Sequence, residues 1–256
     1  MKTCFIEQTC GLGDILLSIK IGQHFANLGH RVIWPIEHTY HYLNDYVEAE
    51  GINFFDITQD FDFKHTFLFF QQNQINEVYE DDNFIHVPLK RSFHSEAGKK
   101  IHTYDSHDAA NMHGKFAMCS LTSENWQDCF KFKRNYEQET KLFTQLQIDG
   151  ACHIVNKKFG TPPWWDETLN KTIITPPGYK TIEMYMDPAF TVFDWLLTLE
   201  KADRIDTVST STFYLFEKID LNCVPTIYSR NTPERSHKEN FGWLQTLAKK
   251  NYLFIS

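Results

Sequence analysis

Apolar and polar positions alternate between two periods along this chain, and the switch between them predicts an α/β protein. Cys4 to Gln8 is a short apolar run that stops at Thr9-Cys10-Gly11-Leu12-Gly13-Asp14. Ile15, Leu16, Ile19 and Ala26 then recur at helical spacing, and Gly29 closes the pattern as a C-terminal glycine does. Arg31 to Ile36 reads as a second strand, giving a βαβ unit and hence a parallel sheet. A helix over His41 to Glu50, a strand over Ile52 to Ile57 and another over Phe84 to Leu89 follow. Residues 91 to 122 are polar, rich in His and without a period, so they read as long loops with short helices. From Ser123 a capped helix carries an apolar stripe of Trp126, Cys129, Phe130, Tyr136, Phe143 and Leu146 to about Ile148.

A second α/β pattern begins after Asp149-Gly150. Strands are expected over His153 to Asn156, Lys171 to Thr175, Thr181 to Met186, Ile205 to Val208 and Val224 to Tyr228. Helices are expected over Phe190 to Lys201, Phe213 to Ile219 and Asn240 to Lys249. The economical architecture is two Rossmann-like halves, residues 1–149 and 150–256.

Composition narrows the function classes. The 256 residues carry 33 acidic and 25 basic side chains, a net charge of −8, which disfavours general nucleic-acid binding because that affinity rests on Lys and Arg. With 22 Phe, 11 Tyr and 6 Trp the chain can bury enough area to fold. No apolar stretch approaches the ~20 residues of a membrane span, and Glu7 interrupts the first run too early for a signal peptide. Six cysteines without a C-x-x-C pair read as reduced thiols, and the expectation is a cytoplasmic protein.

Several places carry candidate chemistry. Gly11 and Gly13 let a backbone approach a ligand at a strand-to-helix turn, although Leu16 stands where a dinucleotide fingerprint has its third glycine. Asp14, in the first helical turn, either complements the helix dipole or accepts a proton from a sugar hydroxyl. Ser209-Thr210-Ser211-Thr212 opens a helix with four small or hydroxylic residues, which suits a diphosphate as well as an ordinary cap. Lys157 and Lys158 follow the first strand of the second half, at the sheet edge where open α/β folds bind ligands, and are otherwise a solvated pair. Glu183, at a strand end in the same half, either holds ribose hydroxyls or a base or forms a salt bridge. Asp60-Phe61-Asp62 is a D-x-D of the kind that metal-dependent sugar transferases use, and also a common tripeptide. Tyr214 and Lys218 fit the Y-x-x-x-K of short-chain dehydrogenases but lie too near the C-terminus and lack the glycine fingerprint. His94, His102, His107 and His113, with Asp105 and Asp108, lack zinc spacing.

The Gly-Leu-Gly-Asp turn, the stretch Ile154-Val155-Asn156-Lys157-Lys158-Phe159-Gly160-Thr161, Phe193-Asp194-Trp195 and Thr207-Val208-Ser209-Thr210-Ser211 together resemble GT-B glycosyltransferases, and within them the heptosyltransferase-like branch with its small viral and bacterial members. That resemblance implies two Rossmann-like domains facing each other across a cleft. It also implies inverting transfer of a sugar from a nucleotide-diphosphate donor to a glycan or glycolipid hydroxyl, with no obligatory metal or further cofactor. Under it, Asp14 is the general base, Ser209 to Thr212 the donor diphosphate turn, and Lys157 or Lys158 the cation on the leaving phosphate; Ser209 stands where relatives often carry Asp. The alternatives are a metal-dependent GT-A-type transferase using Asp60 and Asp62, or a non-catalytic nucleotide-sugar or glycan-binding module. A dehydrogenase or epimerase comes third.

Overall fold

The computed structural model describes residues 1–73, 75, 77–89, 114–159, 167–169, 171–185, 187–230 and 242–255. The chain divides into two compact units, Met1–Phe132 and Lys133–Ser256, each with its own mostly parallel sheet.

In unit 1 the sheet runs β4-β2-β1-β6-β5, from β1 (Thr3–Ile6), β2 (Arg31–Ile36), β4 (Ile52–Asp56), β5 (Tyr79–Glu80) and β6 (Phe84–Val87). β4, β2, β1 and β6 pair in parallel and only β5 is antiparallel. Every residue of β1 is buried, as a central strand covered on both faces requires. Helix α1 (Leu12–Asn27) lays Ile15, Leu16, Ile19 and Phe25 on the sheet. It sits close because Gly22 has no side chain. A Cβ there would lie 2.9 Å from the Ile52 side chain and 3.1 Å from Trp34. Phe5, Ile33, Phe67 and Phe70 form a buried cluster on one face.

Several expected elements differ. The helix expected over His41 to Glu50 is instead a 3₁₀ turn (His38–Tyr40), a short α2 (Leu43–Tyr46) and β3 (Val47–Glu48). An unexpected α3 (Lys64–Gln72) buries Phe67 and Phe70. Helix α4, residues 114–118, lies in the stretch without a period. The long helix from Ser123 to Ile148 is broken. A 3₁₀ turn (Trp126–Cys129) gives way to β7 (Lys131–Phe132), which pairs antiparallel with β3, and α5 (Tyr136–Gln145) starts afresh from an Asn135 cap on the Gln138 N–H. Aromatic residues thus recur at helical spacing across two elements with a strand between them.

In unit 2 the order is β11-β8-β12-β13-β14, all parallel, from β8 (Cys152–Asn156), β11 (Lys180–Glu183), β12 (Arg204–Val208), β13 (Thr226–Tyr228) and β14 (Leu253–Ile255). Lys171 to Thr175 forms no strand, and β14 was not legible in the pattern. Helices α6 (Leu196–Lys201), α7 (Thr212–Phe216) and α8 (Gly242–Leu247) are shorter than expected. A two-stranded antiparallel pair joins β9 (Lys158–Phe159) to β10 (Glu167–Thr168).

The units divide at 132/133, ahead of the expected 149/150, because α5 is tied to α6. Arg134 donates to Glu139 (2.7 Å) and bidentately to Glu200 (2.8 and 2.9 Å), and buried Glu139 accepts from the Leu197 N–H at 3.1 Å. A pair of charged forks of this kind holds two helices in one geometry.

Against the unit 2 sheet lies a polar network centred on the fully buried His153 and Asp206. His153 meets Asp206 at 2.5 Å, Arg204 donates to the same carboxylate at 2.7 Å, and Thr175 reaches the other His153 nitrogen at 3.0 Å. Burial, the largest influence, pulls the His153 imidazole below its ordinary range against the pull of Asp206.

Candidate functional site

Open α/β sheets bind ligands outside the carboxyl ends of their strands, where strand order reverses. In unit 1 that point lies between β1 and β6, and in unit 2 between β8 and β12. Both predicted loops, Cys10 to Asp14 and Ser209 to Thr212, leave the sheets at these points.

The unit 1 loop is fixed at nearly every carbonyl. The buried Trp34 indole donates to Gln8 O at 2.9 Å, the Glu37 N–H to Thr9 O at 2.8 Å, and the Gln8 amide to Cys10 O at 2.6 Å. Gly11 has φ +81° and caps α1, accepting from the Ile15 N–H at 2.9 Å. A Cβ on Gly11 would come within 2.7 Å of Asp14 Oδ2. The glycine therefore makes room for the carboxylate, which curls back over the turn. The other oxygen, Oδ1, accepts from Lys115 Nζ of α4. Asp14 is 28% exposed and Lys115 only 1%, so a buried ammonium anchors a carboxylate that still reaches solvent. The Gly11 backbone also hydrogen-bonds the Tyr40 phenol, whose titration is raised mainly by burial, against the effect of that bond.

Two further groups occupy the same edge. Asp56 ends β4 with a fully buried side chain and binds His38 Nδ1 at 2.6 Å, while the His38 ring is 74% exposed. Asp56 Oδ1 accepts from Thr58 N (2.8 Å) and Oγ1 (2.7 Å). The His38 bond, then those from Thr58, hold the Asp56 carboxyl down at about 2. Glu7 and His86 pair at 3.0 Å inside the core, with the His86 ring stacked on Phe70.

At the unit 2 edge four neutral side chains bond one another, with Arg230, Lys157 and Glu183 beside them. Asn156 Nδ2 donates to Thr207 Oγ1 at 3.2 Å and reaches Thr210 Oγ1 at 3.5 Å, and the Thr212 hydroxyl lies 2.9 Å from Thr210 and 3.1 Å from Thr207. Ser209 and Thr212 are buried, whereas Thr210 and Ser211 keep exposed surface. The Arg230 guanidinium donates to Ser209 O at 2.5 Å. Lys157 and Glu183 face each other at 3.6 Å, and Lys158 is exposed on β9. With five residues, α7 offers less dipole than the expected helix to Ile219.

The structure thus joins Gly11 to Asp14, Thr210 to Thr212 and Lys157 to Glu183, while Lys158 joins Asn156 through its backbone N–H, at 3.2 Å from Oδ1, with its side chain exposed. Gly13 lies in the first turn of α1. Asp60 and Asp62 engage different cations, Lys64 at 3.6 Å and Arg31 at 2.7 Å, instead of converging. Tyr214 is buried in α7. The four loop histidines with Asp105 and Asp108, and Gly160 to Trp165, lie outside the described residues. Sequence reasoning passed over Lys115, His38, Asp56 and Tyr40. His38 and Asp56 had a signal, as polar residues at the carboxyl ends of predicted parallel strands. Lys115 had none.

No protein-family model matches the chain, nor does any curated protein sequence. Among solved structures it is similar to the crystal structure of a glycosyl transferase family 9 protein from Veillonella parvula, at 11% identity and a TM-score of 0.52, over 99% of this chain and 86% of that one. The likeness is one of fold. It agrees with the two parallel Rossmann-like sheets, and no helix among the described residues is long and apolar enough to cross a membrane.

Proposed function

We propose that the chain is a glycosyltransferase in which Asp14 is the base for an acceptor hydroxyl and the β8/β12 edge of unit 2 holds a nucleotide-diphosphate sugar. The observation that carries this reading is the Asp14–Lys115 pair. A carboxylate fixed by a buried lysine, yet open to solvent at a switch point, is costly to build for packing alone, since burying an ammonium is unfavourable. The shared fold with a family 9 transferase supports it.

In the proposed reaction the acceptor O–H proton passes to Asp14 Oδ2, because Lys115 already occupies Oδ1. The acceptor oxygen bonds to the anomeric carbon as that carbon's bond to the diphosphate breaks, with inversion. A carboxylate is a weak base toward an alcohol, so proton transfer is concerted with attack. On the donor side Thr210, Ser211 and Asn156 offer hydrogen bonds to the diphosphate, and Lys157 opposes its growing charge by releasing Glu183 to the ribose. Asp60 and Asp62 play no part, and no metal is needed.

A thermal-shift screen against GDP-, UDP-, ADP- and CMP-sugars tests the donor assignment. A ligand at 100 times its Kd adds about 2.7 kcal/mol. One nucleotide class is expected to stabilise the chain equally with and without EDTA, followed by transfer to a glycan acceptor. A shift abolished by EDTA would move the assignment to a metal-dependent transferase. Binding and turnover that survive Asp14→Ala would leave a base other than Asp14, and binding without any turnover a non-catalytic module.

A further inference from the structure

We propose that His38, oriented by Asp56, is a second proton-accepting position on the carboxyl edge of unit 1, where it takes a hydrogen bond from a hydroxyl of a sugar ligand; the sugar assignment rests on reading this edge as the acceptor side.

The geometry fixes the tautomer. Both Asp56 oxygens are engaged, Oδ1 by two Thr58 donors and Oδ2 by His38 Nδ1 at 2.6 Å. An ionised carboxylate only accepts, so the hydrogen in the 2.6 Å contact belongs to Nδ1. In a neutral imidazole so bound, Nε2 carries the lone pair, on a ring that is 74% exposed. A turn at Asp56 needs only the Thr58 bonds, and a ring so exposed adds little packing. A base oriented by a buried carboxylate is instead the arrangement by which proteins prepare a proton acceptor.

Contacts tie this dyad to the Asp14 loop. His38 begins the 3₁₀ turn that ends at Tyr40, and the Gly11 backbone hydrogen-bonds the Tyr40 phenol. Glu37, just before His38, donates its N–H to Thr9 O at 2.8 Å. Two acceptors of different type, a carboxylate oxygen and an imidazole nitrogen, therefore stand on one pinned edge. A polyhydroxylated ligand can engage both, with Asp14 at the reacting hydroxyl and His38 at another. Asp56 acts through His38 as a positioning residue.

Long-range ¹⁵N NMR on the full chain near neutral pH is expected to show His38 with the proton on Nδ1. Diethyl pyrocarbonate labelling read by mass spectrometry gives a second measurement, because it attacks an unprotonated ring nitrogen. His38 is expected to label faster than exposed His65, and Asp56→Asn to remove about 10-fold of that rate, since an amide partner no longer fixes the tautomer. A panel of methyl glycosides (glucose, galactose, mannose and heptose) is expected to slow labelling at His38 and leave His65 unchanged. A proton on Nε2, labelling no faster than at His65, or a panel in which no glycoside protects would each overturn the proposal. None of these readouts needs a nucleotide-sugar donor. A failed donor screen would therefore count against the transferase reading and leave this result standing.

Discussion

At the carboxyl edge of unit 1, Asp14–Lys115 and His38–Asp56 each join a buried charged group to a partner that reaches solvent. At the corresponding edge of unit 2, Asn156, Thr207, Thr210 and Thr212 share hydrogen bonds among neutral groups, and the ionisable network of His153, Asp206 and Arg204 lies against the sheet. A buried ion needs a partner, so such pairs hold a charge at a fixed point and keep it available. Mutually bonded hydroxyls and amides can turn to a ligand without carrying net charge. The first edge is suited to moving a proton, the second to holding a polar ligand by hydrogen bonds, with Lys157 and Arg230 beside them.

The sharpest way to break this contrast is to neutralise Asp14. Transfer by Asp14→Asn is expected to fall by about 10²–10⁴, the usual contribution of a general base, with donor affinity unchanged. A loss confined to donor affinity would place the chemistry elsewhere. Stability should respond unequally to the two members of the pair. Asp14→Asn leaves the 1% exposed ammonium of Lys115 beside an amide, and breaking a buried pair in that way costs about 3–5 kcal/mol. Lys115→Met costs less, because Asp14 at 28% exposure can turn to water. Urea midpoints of the two single variants and the double variant measure this, and equal losses would mean that the pair is ordinary packing.

Gly11→Ala sharpens the same edge with a smaller change. The methyl group would crowd Asp14 Oδ2 at 2.7 Å and also require φ +81° of an L residue. A loss of more than about 1 kcal/mol is expected for the backbone alone. Crystallography of the variant should show the carboxylate displaced, with a fall in turnover; unchanged turnover would separate Oδ2 from the proton transfer.

On the unit 2 side, Asn156→Leu removes the donor to Thr207 and Thr210. A cost of about 1–3 kcal/mol in stability follows from leaving buried hydroxyls with fewer partners. Donor affinity read by thermal shift should weaken with it, while Lys157→Ala, which breaks a pair at 3.6 Å with a 72% exposed Glu183, changes stability by less than about 1 kcal/mol. Were Lys157→Ala the larger of the two, the edge would be electrostatic after all.

What the sequence made legible divides along similar lines. Every parallel strand except β14 announced itself as an apolar run, and both switch-point loops followed from glycine and Ser/Thr chemistry next to those runs. Elements that depend on partners far along the chain left no local trace. β3 and β7 are two residues each and exist by pairing with one another. Lys115 serves a carboxylate in α1 from a helix within a stretch that has no period. The run Ser209 to Thr212 pointed to the right loop, but which hydroxyls stay accessible depends on Asn156 across the sheet.

The last expected effect concerns acid. Asp56 has its carboxyl lowered from 3.8 to about 2, first by His38 and then by Thr58. A carboxyl depressed in the folded state adds stability that is complete above its unfolded value and is lost as pH falls through its folded one. The contribution from Asp56 should therefore be constant above about pH 5 and disappear between about pH 4 and pH 2. Comparing urea midpoints of the wild type and Asp56→Asn across that interval isolates it, because the amide does not titrate. The gap between the two proteins should close on acidification. A gap that stays constant down to pH 2 would mean that the carboxylate gains nothing from its His38 and Thr58 bonds, and the contrast between the two edges would then rest on the Asp14–Lys115 pair.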